Sequence, residues 1–218
     1  MKRIVLPQAI VSVLLSGATQ VSVPVRPQPE LLYGTWHWEA SEFRSFYISG
    51  DEPGHEGHHY YGRTVLEEVA DALLGFCPFP IGAVVWVPET WAPANDNADS
   101  IAYKADGLSA APSLLMYDGT EVACYWKPAI TMPEWAARLR YEVEGVKAGM
   151  AHELDYDSAL AEGYDRNFQI AAPDCADPTC KGIHYGPTWH RVSVWDSIWP
   201  AYPWDSNPWT LTYTLRRT

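Results

Sequence analysis

Trp209-Thr210-Leu211-Thr212-Tyr213-Thr214-Leu215 alternates large apolar side chains with threonines through seven residues. A period of two puts the apolar set on one face and the hydroxyls on the other, which predicts a β-strand. Leu139 to Val146 repeats the pattern. There Leu139, Tyr141, Val143 and Gly145 share one face, and Arg140, Glu142 and Glu144 share the other. Ala83-Val84-Val85-Trp86-Val87, set between Gly82 and Pro88, is a short unbroken apolar run and predicts a buried strand. Val21 to Val25 also alternates, and Pro24, which has no N–H to donate, assigns it to a sheet edge. Glu121 to Trp126 is a further short strand.

Helical periodicity is confined to short pieces. Thr64 caps a helix running to Leu74, with Glu67 three residues on and Val65, Leu66, Val69, Ala70 and Leu73 at helical spacing, and Gly75 ends it. Asp157 to Glu162 forms a turn or two before Gly163. Short strands mixed with short helices predict an α+β domain, built as a small β-barrel and covering residues 1–218. The stretches 40–63 and 165–190 are long for connections in a compact domain and read as two insertion loops.

The N-terminus supports two readings. Lys2, Arg3, the apolar stretch Ile4 to Leu15 and Ser16-Gly17-Ala18 resemble a secretory signal. Pro7 and Gln8 interrupt that stretch, and a helix starting at Pro7 with Ala9, Ile10, Val13 and Leu14 on one face would stop at Gly17.

The 218 residues are 47% hydrophobic, enough for a substantial core. Lys and Arg number 15 against 27 Asp and Glu, a net charge of −12, which argues against a broad basic surface for nucleic acid. A local groove stays open. Residues 31–71 hold eight acids against Arg44 and Arg63, a local sum of −6, and residues 72–126 hold six against Lys104, a further −5. That field could instead dock a basic protein partner or mimic nucleic acid. No apolar run approaches the roughly 18 residues of a spanning helix, so a membrane is not an expected partner. Eleven Trp and thirteen Tyr supply flat faces suited to a core or to stacking on bases.

Cys175, Cys180, His184 and His190 could hold a tetrahedral zinc ion, a candidate structural metal, although their spacing is not that of a common zinc module. His55, His58 and His59 sit in a glycine-rich stretch with no supporting cysteine. No Gly-x-Ser-x-Gly elbow and no phosphate-cradling glycine loop is present.

Several segments, in order, resemble the ASCH-domain proteins of bacteriophages and prophages, within the PUA-like superfamily. They are Cys77-Pro78 leading to Gly82, Trp86-Val87-Pro88-Glu89-Thr90-Trp91-Ala92, and Tyr103-Lys104-Ala105-Asp106-Gly107. Trp126 to Ala136, Ala159-Leu160-Ala161-Glu162-Gly163, Trp195-Asp196-Ser197 and Trp204 to Trp209 complete the set. The resemblance implies a small barrel whose cleft takes RNA, single-stranded nucleic acid or a modified nucleoside. It also implies that residues 1–20 belong to the folded domain, in the cytoplasm of a bacterial host with Cys77, Cys124, Cys175 and Cys180 reduced. No cofactor is required by it. Some relatives are N4-acetylcytidine amidohydrolases using a Lys, a Thr and a Glu. Here the Lys position falls at Ala18 and the Thr position at Val21, while Thr19 and Glu162 survive, so catalysis is expected to be lost. An enzyme of altered chemistry would centre on Glu162 and Glu89. Ligand contacts are expected from Thr19, Trp86, Trp91, Tyr103, Lys104 and Lys127.

Overall fold

The computed structural model describes residues 1–26, 28–29, 65–94, 100–116, 118–171 and 183–218. The chain begins with β1 (Lys2–Arg3), α1 (Gln8–Leu15) and β2 (Gln20–Pro24), then α2 (Val65–Gly75) and β3 (Val84–Val87). Small strands follow: β4 (Trp91–Pro93), β5 (Ile101–Tyr103), β6 (Ser113–Leu115) and β7 (Glu121–Ala123). The second half holds β8 (Leu139–Met150), α3 (Tyr156–Ala161), β9 (Gln169–Ala171), β10 (Ile183–Tyr185), α4 (Pro187–Ile198) and β11 (Trp209–Arg217).

Five strands form one sheet in the order β1-β3-β8-β11-β2, parallel only between β1 and β3. This corrects the expected barrel. The α+β class holds, but among the described residues no sheet closes on itself. β2 lies at one edge, where Pro24 has no N–H for a further partner. At the other edge β1 offers only two residues to pair. The remaining strands form separate two-stranded ladders, β4–β5, β6–β7 and β9–β10, that do not extend the sheet.

The register explains the burial. Tyr213 pairs with Val21 and Val146, and Leu211 pairs with Val23 and Ala148, so these apolar side chains share one face. Tyr141, Val85 and Val87 continue that face toward β1. It packs on α1 through Val11 and Leu14 and on α2 through Val69 and Leu73. A register shift between Thr214 and Leu215 leaves Glu144 as an extra residue on β8. This bulge moves the buried set from odd positions (Leu139, Tyr141, Val143) to even ones (Ala148), so Gly145 does not continue the face of Val143 as its spacing suggested.

α1 starts after Pro7 and stops before Gly17, whose φ of 101° is a left-handed turn. Residues 1–20 are thus built into the fold, with Ile4, Leu6, Ile10, Val11 and Leu14 in the core. The described part of the stretch 165–190 contains regular structure. It carries β9 and β10, paired antiparallel, and the first turn of α4. The stretch 40–63 lies outside the described residues, as do His55, His58, His59, the helix cap Thr64 and the acids from Glu39 to Glu56. Among the described residues no helix is long and apolar enough to cross a membrane.

Candidate functional site

The polar face of the sheet carries two clusters at opposite ends. The first forms where β2, β11, α3 and α4 meet. Asp155 caps α3 by accepting the Ser158 N–H at 2.8 Å, and Gly163 turns the chain away at φ 85°, with a Cβ-equivalent position only 3.2 Å from Val13. Glu162, at the end of that helix, is thereby set against the threonine side of the sheet. Its carboxylate accepts hydrogen bonds from the Ser22 hydroxyl through Oε1 and from Arg191 Nε through Oε2, the latter at 3.0 Å. Ser22 lies 2.7 Å from Thr212, its partner across the strands. Arg191 is fully buried on α4 and stands 5.5 Å over the Tyr164 ring. Burial raises the Glu162 pKa above the ordinary carboxylate range, against the opposing pull of Arg191 and the Ser22 hydroxyl. Burial likewise pushes the Tyr164 phenol up, helped by the Glu162 charge.

Two further polar atoms are buried here without a hydrogen-bond partner, Arg191 Nη1 and Gln20 Oε1. Arg191 Nη2 is 3.0 Å from Glu162 Oε2 as an ion pair but lacks hydrogen-bond geometry. Thr19 borders this cluster, its N–H donating to Ala161 O at 2.9 Å. Val21, where the resemblance would put the amidohydrolase Thr, points into the apolar core on the opposite side of the strand. The sequence singled out Glu162 and Thr19 but not Ser22, Thr212 or Arg191.

The second cluster gathers every other residue expected at a ligand site. Trp86, on the outer face of β3, packs with Trp91, Met132, Ala136 and Ala137, and with Tyr103 at the margin. Trp86 and Trp91 are buried and act as core here. Trp91 pairs with Tyr103 across β4–β5 and with Lys127 through two backbone hydrogen bonds, N–H to O, of 3.2 and 2.7 Å. The Lys127 ammonium lies 4.7 Å from the Trp91 ring centre, and the indole N–H donates to Thr131 Oγ1 at 3.3 Å. Lys104, next along the chain from Tyr103, is exposed.

Glu89 has no solvent exposure and is held by Arg138 in a bidentate pair, Nε to Oε1 and Nη2 to Oε2, both 2.9 Å. Nη2 also donates to Asp106 Oδ1 at 2.6 Å, and the guanidinium stacks 4.0 Å from the Tyr103 ring centre. The hydrogen bonds to Glu89 raise the Arg138 pKa further. Tyr103 donates its hydroxyl to Ala136 O at 2.7 Å, and burial together with the Glu89 charge raises its own pKa. Beside this arrangement runs an open, mainly polar groove of about 450 Å³, lined by Ser100, Ile101, Tyr103, Trp135, Ala137 and Arg138. Trp135 is 57% exposed on its wall. The sequence motifs assign no ligand contact to Trp135, which lies within the Trp126–Ala136 segment, or to Arg138 just beyond it.

The zinc expectation is corrected. Among the described residues no three His, Cys, Asp or Glu side chains come together as a metal site. His190 is committed elsewhere. Its Nδ1 accepts the Asp165 N–H at 2.9 Å, and its ring stacks on Phe168 with centroids 4.4 Å apart. His184 contributes its backbone to β10, and Cys175 and Cys180 lie outside the described residues.

No protein-family model, no curated protein and no solved structure matches the chain. The ASCH and PUA-like identity and the phage origin implied by the sequence motifs therefore gain no support, and the closed barrel belonging to that fold is replaced by an open sheet.

Proposed function

We propose that the chain is a binding module for a nucleobase-bearing ligand (RNA, single-stranded nucleic acid or a nucleoside), held in the groove beside Trp135. The observation that carries this reading is an exposed tryptophan on the wall of a polar groove whose other wall is a guanidinium already stacked on Tyr103. A base presents a flat π-face that an indole accepts whatever its sequence. Lys104, Lys127, Arg3 and Arg140 are the nearby cations not paired with a carboxylate among the described residues, and both arginines donate to backbone carbonyls, so phosphate contacts are few and binding should depend only weakly on salt. The free thiols of Cys77 and Cys124 suit a reducing compartment, and the proposal carries a cytoplasmic setting.

The test is a titration of the protein with labelled short oligonucleotides and with nucleosides at low salt, read by anisotropy and calorimetry. Trp135→Ala should weaken binding about tenfold or more, the loss of one stacked base. Absence of binding by every probe, or equal binding by Trp135→Ala, would remove this reading.

A further inference from the structure

A different part of the molecule carries a second site. Between the edge strand β2 and the C-terminal end of α2 runs a groove of about 370 Å³ lined by Val23, Leu73, Phe76, Pro78 and Leu211, most of it apolar. Arg26, the residue where the chain leaves β2, borders this groove and also a neighbouring one of about 350 Å³ against Trp199 and Tyr202. The guanidinium stands 5.8 Å from the Trp199 ring centre and 5.4 Å from that of Tyr202. Among the described residues no carboxylate pairs with it. Among the described residues that line the groove, Arg26 is the one charged side chain.

We propose that the groove between β2 and the end of α2 binds a small amphipathic carboxylate, with its apolar body along Val23, Leu73 and Leu211 and its carboxylate on Arg26. The apolar lining supplies area that a chain of methylenes can cover. Among the described residues no hydrogen bond holds the N–H edge of Arg26, whose face rests on the rings, and that edge matches the two oxygens of a carboxylate. The volume falls in the range of small-molecule sites, about 300–1,000 Å³. A neutral ligand of the same length would gain the apolar contact alone and would leave the cation unanswered.

Octanoate and octanamide are the probes, titrated calorimetrically into the full chain. Octanoate should bind with a Kd of about 1 mM or tighter, within reach of a ligand of its size. Octanamide should bind about tenfold more weakly, the difference made by a charge-assisted hydrogen bond. Arg26→Gln should bring octanoate down to the level of octanamide and leave octanamide unchanged. Val23→Phe, which fills the groove from its exposed edge, should abolish both. Thermal melts establish that each variant is folded, and Arg26→Gln alone decides if the filled variant is not. No octanoate binding, equal binding of the two probes, or undiminished binding by Arg26→Gln would overturn the proposal.

Discussion

Arg191 and Glu162 face each other almost wholly out of water, Nε and Nη2 of the arginine both 3.0 Å from the same carboxylate oxygen. Two ions in such a place need each other, because either one alone would keep its desolvation cost and lose the compensating attraction. Arg191→Met should therefore destabilise the fold by about 3–5 kcal/mol in urea unfolding. Adding Glu162→Leu to that variant should restore much of the loss. If the double variant is no more stable than the single one, the arginine acts mainly through its contact with Tyr164.

The same pair gives a pH signature. Because burial raises the Glu162 pKa in the native state, the folded chain binds that proton more tightly than the unfolded one. The contribution of this group is then fully present below the unfolded value of about 4.3 and is lost as the pH rises toward the native pKa. The stability of the wild type relative to Glu162→Gln should fall as the pH is raised through that window. Asp155, whose pKa the Ser158 N–H lowers, gives the opposite slope, losing its contribution as the pH falls. Comparing each variant with the wild type at several pH values separates the two, and a flat difference for Glu162→Gln would contradict the assigned shift.

At the other end of the sheet, Arg138 secures Glu89, and its removal would leave that carboxylate buried and alone. Arg138→Ala should cost about 3 kcal/mol or more. Arg138→Lys should recover only part of this, since an ammonium cannot make two parallel bonds to one carboxylate. Trp135→Ala, by contrast, should stay within about 0.5 kcal/mol of wild type. Chemical denaturation of the three variants checks the order. A large loss with Trp135→Ala would mean that its ring supports the fold.

Much of the sheet was legible in the sequence because the strands with one buried face alternate cleanly. Leu139-Arg140-Tyr141-Glu142-Val143 and Trp209 to Leu215 appear where expected, as does the edge strand ending at Pro24. Barrel closure depends on which sheet edges meet, a relation that no local pattern encodes. The bulge at Glu144 escaped notice for the same reason, since it is defined by the facing strand. α4 was missed because its buried stripe includes Arg191 beside Trp195, a charged residue where a helical pattern would show an apolar one. Glu162 and Glu89 stood out as acids within motifs. Their partners lie 29 and 49 residues away in sequence and announce themselves only in three dimensions.

β11 is the strand through which the sheet is joined, pairing with β8 on one side and β2 on the other. In a chain made from one end to the other, β2 finds its partner only when Thr210 to Thr214 have been added, some 190 residues later. Until then its Val21 and Val23 have no strand to lie beside. Assembly of this sheet thus waits for a segment made long after β2, and topologies dominated by such distant pairings fold slowly and expose apolar edges while they wait. Shielding of the nascent β2 edge is a demand that the strand order itself places on the cell making this protein.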